Sequence, residues 1–116
     1  MLDGKPTMVL IHGSGGSRLI WNYQTTYFTR KGYRVLAIDL PGHGQVPGPG
    51  FNRIDLYADY VENQLVGIER PVIGGHSMGG AISLTLALRH PAALSGLLLV
   101  GTGARLRVLP TIFDAI

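Results

Sequence analysis

Ser77 lies in Gly75-His76-Ser77-Met78-Gly79, with a glycine two residues to either side. A serine hydroxyl is a weak nucleophile near neutral pH. It attacks a carbonyl only when a base takes its proton and a pair of N–H groups holds the oxyanion that forms. The Gly-x-Ser-x-Gly spacing suits a sharp strand-to-helix turn, in which the serine adopts an unusual backbone conformation. The returning helix then packs so closely that the positions two before and two after must be small. Pro71-Val72-Ile73-Gly74 reads as a buried strand before the pentapeptide, and an apolar helix is expected from about Met78 to Arg89 after it. The backbone N–H of Met78 opens that helix, points at the same space and gains from the helix dipole. A second donor is expected from the glycine loop His12-Gly13-Ser14-Gly15-Gly16, with the N–H of Ser14 the choice. Ser77 as a simple helix N-cap is the bland alternative; two flanking glycines and a partner loop argue against it.

None of the four histidines reads as a base for Ser77. His12 precedes the glycine loop and is expected to hydrogen-bond it in place. His43 sits in a Pro-Gly turn, structural or on the surface. His76 neighbours Ser77 on a strand, so its side chain should point to the opposite face and pack there. His90 ends a helix, where a cation suits the dipole. Asp39 is the best visible carboxylate, although an aspartate at a strand end commonly accepts backbone hydrogens in the following turn. Trp21 and Tyr23 could line a pocket, with core packing the favoured role.

These residues need a scaffold, and the hydropathy pattern supplies one. Met8-Val9-Leu10-Ile11 is a short apolar run ending at the glycine loop. A helix is expected from near Trp21 to about Arg30, closed by Lys31-Gly32. Arg34–Ile38 is a second strand, ended by Asp39-Leu40-Pro41-Gly42-His43-Gly44. Asn52 is placed to cap a helix whose apolar positions Ile54, Ala58, Val61, Leu65 and Ile68 form one stripe. The helix after the pentapeptide is apolar nearly all round and should be buried, and His90-Pro91 ends it. Leu97–Val100 is a fourth strand, broken by Gly101-Thr102-Gly103. Such alternation predicts an α/β fold: a parallel sheet of about four strands with helices on both faces. All four glycine-bearing loops then fall at the carboxyl ends of the strands, where ligand chemistry is expected.

The chain has 116 residues, enough for one domain, with 46% hydrophobic and 15% charged residues. Its formal charge of +3 comes from scattered Lys and Arg without a basic run, so a nucleic-acid partner is not expected. The absence of cysteine removes disulfides, thiolate metal sites and a cysteine nucleophile. The apolar run at the start is too short for a signal peptide or a membrane span, so a cytoplasmic location without membrane association is expected. Gly13-Ser14-Gly15 lacks the third glycine of a dinucleotide fingerprint, Arg18 standing in its place. There is no phosphate-loop motif and no histidine pair at metal spacing. No cofactor and no metal are expected.

Three motifs in order, Val9–Gly16, Asp39–Gly44 and Gly75–Gly80, resemble the N-terminal half of an α/β-hydrolase fold enzyme. The likeness is to the esterase, haloperoxidase-like and pimeloyl-carrier-protein methyl esterase branch, and it runs from about Thr7 onward. The resemblance implies Ser77 as nucleophile and Ser14 with Met78 as oxyanion-hole donors, with Gly13, Gly75 and Gly79 shaping loop and turn. It also implies that residues 110–116 begin a cap over the pocket and that the substrate is a small ester. The chain departs from the family pattern in lacking the later strands that carry the acid and the histidine, and most of the leading hairpin. Gly101-Thr102-Gly103-Ala104 offers no carboxylate, and Val46 stands where relatives often carry serine. The expected function is a serine hydrolase of small carboxylic esters whose base and acid lie outside this chain, which alone should be inactive or very weak. The alternative is a non-catalytic remnant or binding module. It would pair with a complementing C-terminal half or self-associate through an exposed sheet edge.

Overall fold

The computed structural model describes residues 4–101. The expected cap segment at 110–116 and the Thr102-Gly103 part of the last break lie outside these residues. Four parallel strands form one sheet in the order β2-β1-β3-β4: β1 (Met8–Ile11), β2 (Val35–Ile38), β3 (Val72–His76) and β4 (Gly96–Val100). The helices between them are α1 (Asn22–Arg30), α2 (Ile54–Gln64) and α3 (Met78–Arg89). A 3-10 turn at Arg18–Trp21 leads into α1, with the Ser17 side chain accepting from the Leu19 N–H.

The strand order dictates where the helices go. The chain steps from β1 outward to β2, then crosses back over β1 to reach β3 and continues to β4. Right-handed crossovers therefore put α1 on one face and α2 with α3 on the other. The burial agrees. Val9, Ile11, Ile38 and Ile73 form one core with Tyr57, Ala58 and Val61 of α2 and Ile82 and Leu86 of α3. The alternate residues of β1, Met8 and Leu10, face the opposite side and are equally buried, so β1 is covered twice. This is why its four residues are all apolar rather than alternating.

Most elements stand where the hydropathy pattern puts them, with instructive differences. The β3 ladder continues two residues past Gly74, pairing Gly75 with Ile11 and Leu99 and His76 with Val100. Glycines there are required by packing and do not end the strand. Asn52 does not cap α2: the flanking residue is Arg53, extended at φ −137° and ψ 140°, and no side chain caps the first turn. Asp55 in that turn supplies the negative charge instead and pairs with Arg53. Helix α3 is buried on every side through its first half, Gly79 to Ser83, but only Leu86 is buried beyond that, and Leu88 is exposed near its end. Tyr23 is 80% exposed, against the core placement expected for it, whereas Trp21 is buried. The last strand is apolar but not covered: Leu97, Leu98 and Val100 are each about 40% exposed.

Candidate active site

Ser77 is the one residue between the end of β3 and the start of α3, and it is exposed. Its backbone sits at φ 55° and ψ −115°. A side chain is rarely tolerated at positive φ, at a cost of order 1–3 kcal/mol. The surroundings leave the chain no other course. A Cβ on Gly75 would collide with the Gly79 carbonyl and the Gly80 nitrogen. A Cβ on Gly79 would collide with the Ile11 and His12 carbonyls. Helix α3 thus packs by bare backbone against both β3 and β1, and the turn joining it to β3 is compressed to a single residue. The Ser77 N–H donates to the Val100 carbonyl (3.2 Å), and its own carbonyl accepts from Gly80 and Ala81 in the first turn of α3.

The glycine loop after β1 reaches the same point. A Cβ on Gly13 would lie 3.2 Å from the Ser77 Cβ and 3.1 Å from the His76 carbonyl oxygen. Ser14 follows, exposed, on the side of the loop nearest solvent. Met78 opens α3, where the first backbone N–H groups have no helical partner and carry the positive end of the helix dipole. Ser77, Met78 and the Gly13–Ser14 segment therefore meet at the carboxyl ends of β3 and β1. The chain reverses its direction across the sheet between these strands, so this is the topological switch point where open α/β sheets bind ligands.

His12, His43 and Asp39 hold loops together. The buried His12 ring donates from Nδ1 to the Gly13 carbonyl (2.6 Å) and accepts at Nε2 from the Leu40 N–H (3.0 Å). Burial holds its pKa below the ordinary 6.5, so the ring is neutral, as this bonding requires. His43, 5.0 Å away ring to ring, donates from Nδ1 to the Pro41 carbonyl (3.0 Å) and accepts at Nε2 from the Gly15 N–H (3.0 Å). Asp39 accepts from the Arg18 N–H (2.7 Å), the Arg18 guanidinium (2.6 Å) and the Gln45 N–H (3.0 Å). Burial pushes its carboxyl up, but these donors outweigh that and hold its pKa below the ordinary value. His90 pairs with Glu62 (2.6 Å) where α3 ends beside α2, at the other end of the sheet from Ser77. His76 is exposed and not packed inside. Its ring would meet a Cβ on Gly101 at 3.2 Å, and it lines a groove of about 220 Å³ with Ile20, Trp21, Gln24 and Val100. Within that wall the Trp21 indole N–H and the Gln24 Oε1 are buried without a hydrogen-bond partner.

Arg18 and Gln45 are the site residues that sequence reasoning missed. Arg18 served there only to exclude a nucleotide loop, and Gln45 contributes through its backbone. No periodicity or motif announces such contacts, because each joins loops from different strands. Among the described residues no cluster of three or more His, Cys, Asp or Glu could hold a metal ion, and no helix is long and apolar enough to cross a membrane.

Comparison with known proteins agrees with this architecture. The family model for the alpha/beta hydrolase fold matches residues 6–114. The chain belongs to the α/β-hydrolase fold family. It is 37% identical over 98 residues to a pimeloyl-[acyl-carrier protein] methyl ester esterase of Aromatoleum aromaticum, covering 84% of this chain and 38% of the relative. It is 39% identical over 108 residues to a 2-hydroxy-6-oxononadienedioate/2-hydroxy-6-oxononatrienedioate hydrolase of Paraburkholderia phymatum, covering 86% and 37%. Among solved structures, a membrane phospholipase A described as a bacterial virulence factor superposes with a TM-score of 0.76 at 35% identity, covering 84% and 32%. The chain thus spans less than two fifths of each of these proteins.

Proposed function

We propose that Ser77 is the nucleophile of a serine hydrolase that cleaves small carboxylic esters through an acyl-enzyme. The N–H groups of Ser14 and Met78 hold the oxyanion in this reading, and the triad base and acid lie outside this chain. The Ser77 oxygen attacks the ester carbonyl carbon while its proton passes to the base. The base returns that proton to the departing alcohol, and water then releases the acid by the same route. The observation that carries this reading is the backbone of Ser77: a strained, exposed serine between two strand ends, held by glycines that admit no side chain. The names of the relatives, one an esterase and one a hydrolase, favour the reaction class. The test is Ser77→Ala in the intact protein with p-nitrophenyl butyrate as substrate, alongside mass analysis after treatment with a fluorophosphonate. Loss of turnover by about 10⁴-fold or more, with the phosphonyl group on Ser77 in the unmutated protein, is expected. Undiminished turnover in the alanine variant overturns the reading.

The uncovered β4 supports a second reading, in which the chain pairs through that edge with a complementing segment or a second copy. Exposed apolar edge strands favour such pairing. A chain that stays strictly monomeric in sedimentation at tens of micromolar would count against it.

A further inference from the structure

We infer that His43 is a positioning residue for the oxyanion hole, acting through the backbone of Gly15. The inference rests on the serine-hydrolase reading and assigns a role within it to a residue outside the nucleophile and its donors.

The glycine loop has little of its own to hold it still. Gly13, Gly15 and Gly16 lack side chains, Ser14 and Gly15 are exposed, and within the loop the Gly16 N–H donates to the Gly13 carbonyl. Two imidazoles supply the external restraint. His12 fixes the root of the loop, tying the Gly13 carbonyl and the Leu40 N–H to one buried ring. His43 fixes its far side, since its Nε2 accepts from the Gly15 N–H, next in sequence to Ser14. The His43 ring cannot turn away easily. Its Nδ1 donates to the Pro41 carbonyl, and its ring packs at a tilt against His12 (centroids 5.0 Å apart) and in a T-shaped contact with Tyr57 (6.4 Å). Tyr57 is itself buried and accepts from the Phe51 N–H, so the ring stands on the core beneath α2. The chain of contacts runs from core to His43 to Gly15 to the donor at Ser14. Such preorganisation matters most when charge develops on the substrate oxygen, not when the substrate first binds.

The test separates turnover from binding in the intact protein with p-nitrophenyl butyrate. His43→Asn keeps a donor near Pro41 but leaves Gly15 without an acceptor. It should lower kcat by about 10- to 100-fold, below the cost of deleting a donor outright, with KM within about twofold. His43→Gln places a carbonyl oxygen near the Nε2 position and should recover kcat to within about threefold of the parent. Phenylboronic acid, which forms a tetrahedral adduct on serine, should lose affinity in His43→Asn in step with kcat. Equal losses in both variants, unchanged kcat in His43→Asn, or a loss carried by KM would overturn the assignment while leaving Ser77 as nucleophile. Full activity in Ser77→Ala would instead remove the hydrolase reading and this inference together. A measurement that needs no variant is amide hydrogen exchange: the Gly15 N–H should exchange more slowly than that of Ser14 despite its exposure. Equally rapid exchange overturns the proposal.

Discussion

Ser77 carries the backbone strain of the site, and the two glycines around it leave the chain no way to relieve it. Replacing the serine by glycine should therefore stabilise the fold relative to Ser77→Ala, by about 1 kcal/mol or more. Urea unfolding of the two variants measures the difference, and an alanine variant as stable as the glycine one would refute it. Gly75→Ala and Gly79→Ala bring a Cβ into backbone rather than into a side chain that could move. Each should cost about 3 kcal/mol or more, at the upper end for overpacking, seen as a fall in the urea midpoint or failure to accumulate. At this scale the sequence is most legible, because the packing requirement leaves glycine at fixed offsets from the serine.

The elements were legible for a different reason: each strand is a short apolar run, and the helices are longer stretches, α2 with one apolar stripe and α3 apolar nearly throughout. Met8–Ile11 and Met78–Arg89 coincide with the predicted spans, and β2 differs by one residue. The ties between loops were not legible, since Asp39 meets Arg18 and His12 meets Leu40 only once the strands are side by side. The exposure of Tyr23 is hidden from the sequence for a related reason: it lies two residues past the buried Trp21, more than half a turn round, on the outer side of α1. The ties have a pH signature. His12 has a depressed pKa, so between its folded value and 6.5 the unfolded chain binds a proton that the folded chain refuses. Stability is full above that window and falls as the solution is acidified through it. The depressed Asp39 adds a second loss below 3.8. The urea midpoint should thus decline from pH 7 to pH 5, and His12→Asn should flatten the decline while lowering the whole curve. A profile equally steep in the variant would assign the dependence elsewhere.

For the whole molecule the sheet is the limiting fact. Its β4 margin exposes Leu97, Leu98 and Val100, and the chain covers less than two fifths of the relatives it matches. If base and acid lie elsewhere, the 116-residue chain alone should turn over p-nitrophenyl butyrate about 10⁶-fold more slowly than the intact protein, a residue of activity owed to the oxyanion donors. Turnover within tenfold of the intact protein would mean that a base is present among these residues after all. The switch point between β1 and β3 also governs how the protein reaches its folded state. Strand β1 pairs with β3 from Met8–Val72 to Ile11–Gly75, joining segments separated by the whole of β2 and α2. Closing so long a loop is slow compared with forming a helix. The approach of Gly13 to Ser77 cannot exist before that pairing does, so in a refolding experiment the site and the centre of the sheet should appear in a single kinetic step.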